Sequence, residues 1–133
     1  MLRYMSDYEE AQPMRVALIV TATGRYWQFV PDLWQSCINY LAPYISQLDL
    51  HLITCRNGAR ELPDRLTAWD HVYFHLTEHE PWPMATLRRY EYALTIDDRL
   101  LRYDYLLQLD ADMRFVSAVT GTDLFRRGKL TAA

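Results

Sequence analysis

The chain has 133 residues, half of them hydrophobic, a formal charge of −3 at pH 7 and an isoelectric point near 5.7. Length and apolar content suit one domain around one core. The acidic balance excludes a general electrostatic hold on nucleic acid or on an anionic membrane, so any phosphate recognition must come from a local site.

Residues 1–14 form a polar lead in which MLRYMSDYEEAQP has neither the basic start nor the apolar run of a signal peptide. No stretch approaches the roughly 20 apolar residues of a membrane span, and the expectation is a soluble, cytoplasmic protein. RVALIVT, Arg15 to Thr21, is a continuous apolar run rich in β-branched residues, the pattern of a strand buried on both faces of a parallel sheet. Gly24 then permits a tight turn. Pro31 and Asp32 suit the first turn of a helix, and Leu33, Trp34, Cys37, Ile38 and Leu41 recur at helical spacing.

LDLHLIT, Leu48 to Thr54, alternates as a second strand; RNGARELPD reads as a loop of turn formers, and HVYFHL, His71 to Leu76, as a third strand. Leu87, Tyr90 and Leu94 give helical spacing from Met84 to about Leu94, and DYLLQL, Asp104 to Leu109, is a buried strand that runs into Asp110-Ala111-Asp112. Cys37 and Cys55 lie in apolar segments outside any CxxC spacing and read as buried, reduced thiols.

Strands alternating with helices argue for an α/β layer fold with a mostly parallel sheet flanked by helices, and such sheets bind ligands at the carboxyl ends of their strands. Two loops occupy that edge, TATGRY after the first strand and DADMRF after the last. Asp110 and Asp112 supply two hard oxygen ligands that suit Mn²⁺ or Mg²⁺, and an ion held there would stabilise the charge on a departing nucleotide diphosphate. A DxD alone is a weak motif; its place behind a buried strand gives it weight. Of Arg88 and Arg89, about 100° apart on a helix, at most one faces a given site. His71, His75 and His79 have the spacing of a helical chelate, but four residues along a strand separate two rings by some 13 Å, too far for one metal. The usual hydrolase, zinc-protease, P-loop and dinucleotide fingerprints do not occur.

Three blocks in order, TATGRYWQFVPDL, WPMATLRRYE and YLLQLDADMRF, resemble the family 6 glycosyltransferases, over Val16 to about Asp123. The resemblance implies a GT-A type, Rossmann-like nucleotide-binding fold and retaining α-1,3 transfer of galactose or N-acetylgalactosamine from a UDP-sugar to a galactose-type carbohydrate acceptor. It places Thr21, Ala22, Thr23 and Tyr26 on the uracil and ribose, Arg89 near the donor sugar and the acidic pair, Ala111 against the ribose, and Mn²⁺ on Asp110 and Asp112.

Two features depart from the family. Its FTD at the end of the second strand is Ile53-Thr54-Cys55 here. The residues it uses for the acceptor and for the reacting sugar lie beyond Ala133, so residues 15–133 read as a partial, truncated, donor-binding half with a sheet edge open to self-association. The alternative reading is a non-catalytic nucleotide-sugar-binding fragment. A phosphohydrolase would need a second acidic motif and a downstream lysine, and only Asp123 and Lys129 remain for these roles.

Overall fold

The computed structural model describes residues 14–78, 91 and 100–118. Four strands, β1 (Arg15–Ala22), β2 (Gln47–Thr54), β3 (Val72–Leu76) and β4 (Tyr105–Asp110), form one sheet in the order β3-β2-β1-β4. Every pairing is parallel. The fold is α/β and compatible with a Rossmann-like architecture. The apolar run of β1 has its physical reason in this order: β1 is a central strand, and five consecutive residues, Val16 to Val20, are buried.

Helix α1 (Val30–Tyr40) starts with Pro31 in its first turn and an acidic Asp32 beside it, both favourable at a helix N-terminus. Its buried residues Val30, Leu33, Trp34 and Cys37 pack on the sheet face made by Val16, Leu18 and Val20 of β1, Leu48, Leu50 and Leu52 of β2, and Leu107 and Leu109 of β4. The Trp34 indole donates to the Thr67 carbonyl at 2.7 Å, tying α1 to the loop before β3.

RNGARELPD is not a loop. Arg56–Glu61 forms a short helix, α2, followed by a 3₁₀ turn at Pro63–Arg65. Gly58, which lowers helix propensity there, is buried against β2, where an added Cβ would collide with the Thr54 hydroxyl oxygen. The glycine thus serves close packing rather than a turn. The expected helix from Met84 to Leu94 lies outside the described residues except for Glu91, which is helical.

The second sheet face differs in kind. Beside Ala17, Ile19 and Ile53, β2 presents Asp49 and His51, both buried. The alternation in LDLHLIT is therefore real, but its polar members are buried rather than solvated. Asp49 accepts from the Tyr103 hydroxyl and from Gln47 Nε2, each at 2.6 Å, and lies 3.0 Å from His71 Nδ1. The hydroxyl hydrogen of Tyr103 being committed to Asp49, the 3.0 Å contact between His51 Nε2 and Tyr103 has the imidazole N–H donating. His51 Nδ1 then faces His75 Nε2 at 3.0 Å. The rings are 17° from coplanar with centroids 5.3 Å apart, and because His51 Nδ1 is left as the acceptor, His75 Nε2 carries the hydrogen and donates to it. His71 and His75 bond different partners, and among the described residues no group of three His, Cys, Asp or Glu is placed to hold a metal. His79 is outside them. No helix among the described residues is long and apolar enough to cross a membrane.

Candidate functional site

The register between β1 and β4 creates the site. At their amino ends Asp104 takes the backbone N–H and the guanidinium of Arg15 at 2.8 and 3.3 Å, and the Asp104 N–H returns a bond to the Arg15 carbonyl at 2.8 Å. The Arg15 hydrogen bonds hold the Asp104 carboxyl below its ordinary range. With that offset of 89 residues fixed, the ladder carries Thr21 opposite Asp110 at the carboxyl end. Two sequence blocks far apart in the chain thus meet at one edge of the sheet.

On the β1 side the side chain of Ala22 is fully buried in the α1-side core, so only its backbone can meet a ligand, and its carbonyl accepts from the Thr54 hydroxyl at 2.6 Å. Thr23 is buried and precedes a 3₁₀ segment, Gly24–Phe29, entered by Gly24 at φ 59°. That positive φ is open to glycine at little cost. The segment puts the rings of Tyr26 and Phe29 half in solvent, with centroids 6.2 Å apart. Thr21 Oγ1 and Gln108 Nε2, on adjacent strands of the second face, are buried without a hydrogen-bond partner among the described residues.

On the β4 side Asp110 is the last strand residue, one position further into the strand than the sequence suggests. A turn follows in which the Met113 N–H meets the Asp110 carbonyl at 3.2 Å. Ala111 is buried toward the α1 side, while Asp110 and Asp112 are exposed. Asp112 lines a cleft of about 310 Å³ with Phe29, Asp32, Ala111, Met113 and Arg114. Phe29 therefore joins the Tyr26 loop to Asp112. Asp112 forms no hydrogen bond or ion pair with the described residues. Among the described residues no third His, Cys, Asp or Glu joins Asp110 and Asp112, so an ion held by the pair would have to complete its shell with water and phosphate oxygens. Arg89, like Arg88, lies outside the described residues.

Cys55 follows β2 at this same edge and is not the buried thiol expected. Burial raises its pKa, but backbone hydrogen bonds from Gly58, Gly24 and Asn57 and one with the Thr54 side chain outweigh that, and the net shift is downward. Cys37 is buried as expected, and burial pushes its thiol from 9.0 to about 12. Neither Phe29 nor Asp32 was legible as a site residue: Asp32 reads as part of an ordinary helix start, and no feature singles out Phe29. No protein-family model matches the chain, and no curated protein matches it.

Proposed function

We propose that this chain is the donor-binding part of a retaining glycosyltransferase of GT-A type that takes UDP-galactose or UDP-N-acetylgalactosamine with Mn²⁺. The observation that carries the reading is the juxtaposition of Thr21 with Asp110 across the β1–β4 ladder, at the sheet edge where parallel α/β folds take ligands. The exposed rings of Tyr26 and Phe29 offer an aromatic surface to a base. Asp110 and Asp112 would hold the metal, which when bound neutralises the diphosphate and the charge of its departure. Ala111 and Phe29 line the cleft beside Asp112.

Calorimetry of UDP binding tests this. Binding at least tenfold tighter with Mn²⁺ than with chelator is expected, and Asp112→Asn should remove most of that difference, since it takes one anionic oxygen ligand from the ion. Equal affinity in the two conditions would count against the metal-assisted donor site.

A further inference from the structure

The cleft beside Asp112 holds a cation that the acidic pair does not account for. Arg114 lines it together with Asp32 and Asp112, and none of the three makes an ion pair or hydrogen bond with a described residue. Three charged side chains share one cleft of about 310 Å³ without neutralising one another, an arrangement that leaves each available to a ligand.

The backbone that carries Arg114 is fixed on both sides. Ala111 is buried in the α1-side core. The Phe115 N–H donates to Ser36 Oγ at 2.9 Å, and Ser36, buried on α1, donates in turn to the Leu33 carbonyl at 2.7 Å. Residues 112–114 therefore span two anchors over the start of α1, and Arg114 is delivered to the cleft by a braced segment. A guanidinium is a poor neighbour for a metal-binding carboxylate but a good one for a phosphate, whose oxygens it can meet with paired N–H donors.

We infer that Arg114 binds the diphosphate of the nucleotide ligand from the cleft that it shares with Asp112. This rests on the donor reading above. It gives the site two cationic contacts with opposite dependence on the acidic pair: the ion needs Asp110 and Asp112, whereas Arg114 acts on the phosphate directly. It also narrows the ligand to one that carries a phosphoryl group, because a nucleoside alone offers Arg114 nothing to neutralise.

The test compares wild type, Arg114→Gln and Arg114→Lys in the full chain. UDP and uridine binding are followed by chemical-shift titration, and Mn²⁺ binding without nucleotide by electron paramagnetic resonance. Arg114→Gln should weaken UDP about tenfold, with and without Mn²⁺, and leave uridine unchanged. Arg114→Lys should recover part of the loss. For Mn²⁺ alone, Arg114→Gln should bind as tightly as wild type or more tightly, because a repelling charge is gone. That opposition of sign separates a phosphate contact from a structural role, which would weaken every ligand together. UDP affinity unchanged in Arg114→Gln, or equal losses for UDP and uridine, would overturn the assignment while leaving the donor reading in place. A wild-type chain that does not bind UDP at all would remove both.

Discussion

The two faces of the sheet are built from the same strands and held by different forces. Toward α1, Leu18, Leu50, Leu52 and Trp34 interlock as a continuous apolar layer, whose stabilisation follows buried area and has little directional demand. On the other face, Asp49, His51, His75 and Tyr103 are joined by hydrogen bonds of 2.6 to 3.0 Å in which each atom has a fixed role as donor or acceptor. A hydrophobic replacement of similar volume should be tolerated on the first face. On the second, a change of one atom leaves the buried side chains of Asp49 and His51 short of a hydrogen bond.

Substitutions on each face sharpen that contrast. Trp34→Ala should cost the most, about 3–5 kcal/mol, because it empties the largest fully buried side chain and leaves the Thr67 carbonyl without its donor. Tyr103→Phe removes a single oxygen and should still cost about 1–3 kcal/mol, since His51 Nε2 and Asp49 Oδ2 each lose a partner. Urea unfolding measures both. A cost for Tyr103→Phe below a few tenths of a kcal/mol would show that the polar face contributes little.

Alkaline pH sets the faces against each other through two groups. Burial raises the Cys37 thiol to about 12, and burial together with the hydrogen bond to Asp49 raises the Tyr103 hydroxyl above its ordinary 10.0. For each, the unfolded chain gives up its proton first. The stabilising contribution is complete below the unfolded pKa and is lost as pH rises from there through the folded value. Stability should decline above about pH 9 through Cys37 and more steeply above about pH 10 through Tyr103. Cys37→Ala should flatten the first part and Tyr103→Phe the second; profiles of unfolding free energy against pH that coincide for the two variants would break the assignment.

The smallest effect lies between the faces, in the loop before β3. Ala68 has φ 49°, a left-handed conformation in which a Cβ is strained. Ala68→Gly should raise stability by about 0.5–1 kcal/mol, the relief of strain exceeding the added freedom of the unfolded chain. A drop in melting temperature would mean that the Ala68 methyl group contributes more than its backbone costs.

These contrasts explain what could be read from the residues alone. The strands were legible from their apolar runs: RVALIVT and DYLLQL lead to β1 and β4 within one residue at either end, although β4 is not the buried strand expected, since only Leu107 and Leu109 are buried and Leu106 is exposed. Helix α1 was legible from Pro31 and the spacing of Leu33, Trp34 and Cys37. α2 was not, since Gly58 looks like a turn residue until β2 stands beside it. The polar network was invisible for a similar reason. His51, His75 and Tyr103 are scattered along the chain, and only the parallel pairing of β2 with β3, with His51 opposite Tyr73 and Ile53 opposite His75, makes the first two diagonal neighbours. At the site edge the acidic pair and the TATGRY loop announced themselves by their positions after apolar strands, whereas Arg114 became notable only once Ser36 was seen to brace the segment carrying it.

The clamp between Arg15 and Asp104 has a consequence for when the molecule becomes competent. Strand β1 is made early, but its neighbour β4 is 89 residues away, and closing so long a loop is entropically slow. During synthesis β1 and β2 are free to associate long before Asp110 leaves the ribosome. The edge that gathers Thr21 and Asp110 is thus assembled after the β1–β2 pair, and a nascent chain stalled before Asp104 would hold a partly formed sheet with no acidic pair.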